Sequence, residues 1–392
     1  MGSKALINGG FKVCEGPLIT GRFLNRRNRF VVQVDMEGCT TFAYLPNPGR
    51  LWEILLPGTP LLLVPSKGEL PYTVMAARRL GDWVLLHTHL ANDVVEHLLR
   101  KGFISRFAGA EIVKREVALG RSRIDFLLKM RGEEVFLEVK SCTLFGRHVA
   151  AFPDAVTARG KKHVEELATL AGQGRKAAIL FLINSAKPEA FVPDYHTDLE
   201  FARSLIAHRD AIDVIPIGVS WNDDMTPRLL SEDILVPWDF LKGEAKDEGA
   251  YITIFEFDEF HDIEVGSLGK IKLRPGFYAY VGSAARNLTA RVNRHSRKTK
   301  AHHWHVDFMC EVAKSVLSLP VRTQDDVECA LASRLSAISS CAVEAFGSSD
   351  CSCRSHLFYF PIHPLRTSKF MDMLIYFRFD RLWDKIKAQG QG

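Results

Sequence analysis

Three ionisable residues occupy places where a buried strand ordinarily keeps apolar ones. In RSRIDFLLKMRGEEVFLEVK, residues 121–140, Asp125 lies between Arg-Ile and Phe-Leu-Leu, and Glu138 and Lys140 flank Val139 at the end of Val-Phe-Leu. Charged side chains seldom enter a sheet core unless paired or bound to metal. Residues two apart on a strand share a face, so Glu138 and Lys140 point the same way. Asp125 belongs to the preceding strand, across a turn at Arg131-Gly132-Glu133, and strand pairing carries it towards Glu138. Two adjacent carboxylates repel unless a cation lies between them. Hard oxygen ligands suit Mg2+ or Mn2+, and a neighbouring lysine can orient or polarise an attacking water. Phosphodiester hydrolysis needs such parts, and in that reading Asp125 and Glu138 are expected as metal ligands and Lys140 as the group that positions water. Without chemistry, the same residues would make a salt-bridged strand edge. Glu111, ahead of the first strand of the group, is a further acid expected to face solvent.

Other stretches carry charge in suggestive order. Asp154, Arg159, Lys161 and His163 stand just before and within the next helix, where Arg159 and Lys161 could meet phosphate near a helix N-terminus. A solvated first turn capped by Asp154 or Thr157 is the other reading. Arg22, Arg26, Arg27 and Arg29 interleave with Phe23 and Phe30, which are the residue types of a basic groove with stacking platforms, or of an exposed basic loop. Asn47 and Arg50 lie in LPNPGRL, either a nucleic-acid contact or a structural turn. From Val265 to Val306 there is no Asp or Glu against nine Lys/Arg and four His, which points to a nucleic-acid surface built on Arg291, Arg294, His295, Arg297, Lys298, Lys300, His302, His303 and His305. Cys351 and Cys353 with His356, and Cys329 or Cys341, are zinc-binding types. Structural zinc sites, however, prefer about two to four residues between paired cysteines, and Cys-x-Cys has one. Small residues packing against SHLFYF are the expected arrangement there, with Mg2+ or Mn2+ as the expected cofactor of the chain.

Periodicity shows what must position these residues. Val31-Val32-Gln33-Val34, a turn at Glu37-Gly38 and the β-branched and aromatic residues after it predict a hairpin. With Pro60–Pro65 and Trp83–Thr88, they predict a small barrel or curled sheet. Leu90, Val94, Val95, Leu98 and Leu99 share a helical face. Strands follow at 114–119, 123–130 and 134–144, then a helix over 160–171, the apolar strand KAAILFLI at 176–183, a helix over 198–211 and a strand at 214–219. That order is a mixed sheet with helices on its faces. The polar stretch 239–248 reads as a linker.

The expected domains are 1–88, 89–238 and, after the linker, 249–392. A length of 392 residues is beyond what one core supports. The net charge of +5 permits a polyanionic partner without requiring one. No run nears the ~18 apolar residues of a membrane span, no secretory signal opens the chain, and Leu6 stands where a myristoylation signal needs Ser or Thr. Five of eight cysteines fall in the last quarter, unlike a disulfide framework. These features predict a cytoplasmic protein with reduced thiols and no membrane partner; nothing in the sequence selects an oligomeric state.

The helix–strand–strand(Asp)–strand(Glu-x-Lys)–helix–strand order resembles the PD-(D/E)xK nuclease fold, whose metal ligands occupy the places of Asp125 and Glu138. LPNPGRL at 45–51, SRIDFLL at 122–128, LEVKSCTL at 137–144 and FPDAVTARGKKHVEEL at 152–167 together resemble the sugar fermentation stimulation protein A family, over about residues 12–238. That resemblance implies a DNA-binding protein with an OB-like first domain and a PD-(D/E)xK-like second, and it supports Asp125, Glu138 and Lys140 as a nuclease-type triad. Gly249-Ala250-Tyr251 opening the strand ITIFEF, Tyr280-Val281-Gly282-Ser283 after FYAY, and Leu288, Arg291 and His295 at helical spacing resemble the GIY-YIG nuclease superfamily.

This second resemblance implies that Tyr251 and Tyr280 orient or deprotonate water, Arg291 stabilises the transferring phosphoryl group, and Glu328 of DVECALA holds a metal ion. The interval between the tyrosine motifs is longer than is typical there, and Asp307 of WHVDF competes with Glu328. The expected whole is an α+β multidomain protein: an OB-like β-barrel, a PD-(D/E)xK-like mixed α/β sheet and a GIY-YIG-like α/β domain. It would bind nucleic acid, DNA ahead of RNA, and hydrolyse it with Mg2+ or Mn2+. The alternative is a non-enzymatic DNA-binding regulator linked to sugar metabolism that keeps nuclease folds as scaffolds.

Overall fold

Five short strands, Ile19–Asn28, Val31–Met36, Cys39–Tyr44, Pro60–Pro65 and Tyr72–Arg79, pair into a barrel that closes where Ala43 and Tyr44 run parallel to Tyr72 and Thr73. They belong to a computed structural model that describes residues 4–7, 11–14, 16–120, 122–299, 301 and 304–389. Arg121, Lys300, His302 and His303 of the basic stretches lie outside the described residues. The hairpin turn at Glu37 and Gly38 has φ of 53° and 89°, the double left-handed turn whose twist matches its strands. Arg22, Arg26 and Arg27 lie on the first barrel strand, and Arg29 lies in the turn that follows it. Phe23 is 4% exposed and packs with Val32, Val34, Leu61 and Leu63, so it is core and not a stacking platform.

Seven strands form the second sheet, in the order Lys4–Leu6, Pro227–Ser231, Asp213–Trp221, Lys176–Ile183, Glu133–Cys142, Ser122–Met130, Glu111–Leu119. Lys176–Ile183 runs parallel to both neighbours, and the other pairs are antiparallel. Strict alternation along that central strand makes two cores. Ala177, Ile179, Phe181 and Ile183 pack with Val164, Leu167, Phe201 and Leu205, from helices Ala158–Gly172 and Leu199–Ala207. Ala178, Leu180 and Leu182 pack with Val94, Val95 and Leu98 of helix Ala91–Arg100. A strand buried on both faces has no polar side to show, which is why KAAILFLI lacks the usual alternation.

The loop LPNPGRL is clamped where barrel and sheet meet. Arg26 donates to the carbonyls of Gly49 (2.6 Å), Arg50 (2.8 Å) and Asn47 (3.0 Å), and Asp154 accepts from the Leu51 N–H at 3.2 Å. A Cβ on Gly49 would meet Asp154 Oδ1 at 2.8 Å. Gly49→Ala is therefore expected to destabilise the fold by about 1–3 kcal/mol. The measurement is a urea midpoint at constant m-value, and an unchanged midpoint would refute the clamp.

The chain divides into two compact units, residues 1–194 with 200–241 and 382–392, and residues 195–199 with 242–381. The second contains a five-stranded antiparallel sheet in the order Ser315–Arg322, Gly249–Phe257, Gly276–Ala284, Leu357–Phe360, Cys341–Ala342. Helices Leu288–His295, His305–Val312, Glu328–Ile338 and Ser368–Arg378 accompany it. The stretch 239–248, expected as a linker, includes most of the helix Trp238–Glu244. Among the described residues no helix is long and apolar enough to cross a membrane.

Candidate functional site

Arg131 and Gly132, both at positive φ, turn strand Ser122–Met130 into Glu133–Cys142, and the ladder runs in register to Phe126 opposite Leu137. One step further, where Asp125 and Glu138 would face each other, pairing stops. Asp125 reaches across the gap: its Oδ2 accepts from the Val139 N–H at 2.7 Å, and its Oδ1 accepts from Asn92 Nδ2 at 2.8 Å. Glu138 is 2% exposed. Its Oε1 accepts from Lys140 Nζ at 2.5 Å and from His163 Nδ1, which the helix Ala158–Gly172 delivers. Arg159 Nε donates to His163 Nε2 at 3.4 Å, which leaves the imidazole proton on Nδ1, aimed at Glu138. Glu138 Oε2 is buried and, among the described residues, has no hydrogen-bond partner.

Electrostatics sharpen that imbalance. Burial, with the Glu138 charge adding to it, pushes the Asp125 carboxyl up to about 6. Burial works the same way on Glu138, but the hydrogen bond from His163 and the charge of Lys140 hold its carboxyl below the usual value. At neutral pH the buried Glu138 and half-buried Asp125 carboxylates thus share one ammonium, whose hydrogen bond reaches only Glu138 Oε1. Buried charge without a partner is costly. Two hard oxygen donors, one of them orphaned, fit a divalent cation such as Mg2+, Mn2+ or Ca2+.

The flanking charges divide into two groups. Glu111 is exposed. Thr157, not Asp154, caps the helix, its Oγ1 accepting from the Gly160 N–H at 2.9 Å. Lys161 pairs with Glu200 at 3.1 Å, and Arg26, expected on phosphate, is turned into the LPNPGRL loop. Arg50 stacks over Trp52, 4.7 Å from its ring centroid. Arg22, Arg27, Arg29 and Arg159 are exposed. Phe30 and Tyr44, 42% and 38% exposed, present ring centroids 6.4 Å apart beside the barrel arginines. Two partners escaped the sequence reading. Asn92 lies on a helix read only for its apolar face, and His163, part of the polar cluster with Arg159 and Lys161 but given no role of its own there, serves Glu138.

In the second unit, Tyr251 and Tyr280 lie on adjacent strands with ring centroids 6.3 Å apart. Gly282, opposite Tyr251 in register, leaves them room: a Cβ there would meet Tyr251 Oη at 2.6 Å and Tyr280 Cε1 at 3.0 Å. Burial pushes both phenols above their usual range, and Arg291 opposes it at each. Glu328 raises Tyr280 and Tyr251 alike, so all four residues converge electrostatically. Burial also pushes the Glu328 carboxyl up, but hydrogen bonds from His356 and Ser283 hold it low.

The basic stretch of this unit is less free than its sequence implies. His295, expected on a nucleic-acid surface, is fully buried with Nε2 3.0 Å from Tyr251 Oη, and it supports that tyrosine. Arg294 pairs with Asp307 at 2.7 Å and donates to the Ala301 carbonyl. Asp307, the competing acid, is buried and accepts from the Trp304 N–H at 3.1 Å, bonding back from the first turn to the N-cap residue of its helix. Arg297 is exposed.

Residues 24–86 match the SfsA N-terminal OB domain, residues 89–225 the sugar fermentation stimulation protein RE domain, and residues 250–374 the domain of unknown function DUF123. The sugar fermentation stimulation protein homolog of Methanothermobacter thermautotrophicus is 38% identical over 208 residues, which span 52% of this chain and 86% of that protein. The homolog of Chloroflexus aurantiacus is 40% identical over 193 residues, 48% of this chain and 74% of that protein. The solved structure of Pyrococcus furiosus SfsA in complex with Ca2+ superposes with a TM-score of 0.53 at 28% identity, covering 58% of this chain and 99% of that one.

Proposed function

The chain belongs to the sugar fermentation stimulation protein family, and from that premise we propose that it binds nucleic acid, DNA ahead of RNA, and hydrolyses phosphodiester bonds at Asp125, Glu138 and Lys140. One observation carries this reading: the buried Glu138 Oε2 lacks a partner among the described residues, beside an Asp125 whose charge Glu138 opposes. Asp125 and Glu138 would hold a Mg2+ or Mn2+ ion. When bound, such an ion supplies Lewis-acid activation of the phosphodiester. The Ca2+ of the Pyrococcus furiosus relative supports a hard divalent cation in this family.

The side chains do the rest. Lys140 Nζ, anchored on Glu138, orients water and offsets developing negative charge. His163 fixes the Glu138 carboxylate, and exposed Arg159 behind it meets phosphate. Arg22, Arg27 and Arg29 track the backbone of a strand across the OB-like barrel, with Phe30 and Tyr44 as stacking surfaces. Binding of this kind is phosphate-directed and weakens with salt. Residues 249–392 form a GIY-YIG-like domain in this reading, where Tyr251, Tyr280, Arg291 and Glu328 make a second phosphoryl site.

A non-enzymatic DNA-binding role draws support from a different observation, the burial of Glu138 at 2% exposure against Lys140 and His163. Labelled single-stranded, double-stranded and branched DNA and RNA, incubated with Mg2+ or Mn2+, separate the two. Chelator-sensitive products are expected, and Arg291→Ala reports whether the second unit contributes. Binding without cleavage of any form under either metal would leave the regulator reading in its place.

A further inference from the structure

Residues 347–355, GSSDCSCRS, contain no apolar side chain other than the two cysteines, yet they connect the strands Cys341–Ala342 and Leu357–Phe360. Buried Phe346 and buried His356 bound the segment. Between them the hydrophobic effect has little to hold it. The fold brings Cys329, at the start of helix Glu328–Ile338, to the same spot. One ligand atom from each of Cys329, Cys351, Cys353 and His356 lies within 4.8 Å of all the others. Packing of small residues, expected from the Cys-x-Cys spacing, does not account for three thiols and an imidazole converging.

We propose that Cys329, Cys351, Cys353 and His356 form a zinc site that staples this loop to the helix. Tetrahedral zinc with three thiolates and one imidazole has ligand–ligand edges of about 3.5–3.8 Å. Cys351 Sγ already lies 3.4 Å from His356 Nε2, and the cluster needs to contract by about 1 Å at most to reach that geometry. The tautomer is arranged for it. Glu328 Oε1 lies 3.0 Å from His356 Nδ1, so the proton sits on Nδ1 and Nε2 faces the thiols. A carboxylate behind a ligating histidine is the usual support of a zinc site. The cysteine spacing is no obstacle, because the third thiol comes from a separate helix. Cys329 is exposed and Cys351 and Cys353 are half-buried, so the metal can enter from solvent. This site stands whether or not either phosphodiesterase reading holds, and it gives Glu328 a role as the positioning residue of His356.

The full chain, purified without metal-affinity steps or chelator, is expected to carry about one zinc per molecule by elemental analysis. Exchange for Co2+ should give the intense visible bands of a tetrahedral thiolate complex. Cys329→Ser and Cys353→Ser should each lose most of the zinc and the charge-transfer band, while Cys39→Ser, on the barrel, keeps both. A reduced, reconstituted wild-type chain that holds no zinc and gives only a weak octahedral cobalt spectrum would overturn the proposal. So would undiminished zinc in both cysteine variants, or a Cys351–Cys353 disulfide in freshly purified protein, seen as a mass two hydrogens lighter.

Discussion

Glu138→Gln is expected to lower divalent-metal-dependent cleavage by about 10^3-fold or more while leaving the fold intact. Glutamine keeps the shape of the side chain and an oxygen that can still accept from Lys140 and His163. What disappears is the charge and the uncommitted carboxylate oxygen, Oε2. Removing one supporting group behind a metal ligand costs about 10–100-fold, so removing the ligand's charge itself should cost more. Glu138→Ala is the poorer test. It strands Lys140 and His163 in a buried site, and a broken buried ion pair costs about 3–5 kcal/mol, so lost activity could simply be lost fold. Three readouts belong together: single-turnover cleavage, calorimetric Mn2+ affinity and thermal midpoint. Cleavage within tenfold of wild type at an unchanged midpoint would remove Glu138 from the chemistry and leave it a salt-bridge partner.

Much of this is legible in the sequence. KAAILFLI announced a strand buried on both faces, and it occupies Lys176–Ile183 as read. The two-residue offset of Glu138 and Lys140 placed them on one face, and their side chains meet. The first barrel strand hid because bulges between Phe23 and Asn25 and between Arg26 and Asn28 break its alternation. The strands Leu144–Phe145, Val149–Phe152 and Ala190–Pro193 are too short to carry a period. Side-chain direction was the harder loss. Runs of arginine look alike in sequence, yet Arg26 turns onto loop carbonyls while Arg27 lies in solvent over Phe42. Likewise, Asn92, His163 and Cys329 join their sites from distant elements, and only the folded chain shows which polar atom remains unpaired.

Asp125→Asn should stabilise the metal-free chain even as it disables the site. The wild-type carboxyl titrates near 6 in the fold against 3.8 unfolded, because burial and then Glu138 disfavour its charge. Between those values the folded state binds the proton and the unfolded state does not, so stability falls as pH rises from about 4 to about 6 and stays low above it. At about 1.4 kcal/mol per pKa unit, the cost at neutral pH is on the order of 2–3 kcal/mol. Asparagine carries no charge and can keep both bonds, accepting from the Val139 N–H and donating to an Asn92 amide that flips. The variant should therefore melt roughly 4–8 °C higher than wild type at pH 7.5 without metal, with the gap closing near pH 4. Mn2+ or Mg2+ should raise the wild-type midpoint, because a cation between the carboxylates relieves the same repulsion, and should leave the variant unmoved. The two effects have one source, so they must appear together. A variant no more stable than wild type at pH 7.5, or one that metal still stabilises fully, would place the cation elsewhere than between Asp125 and Glu138.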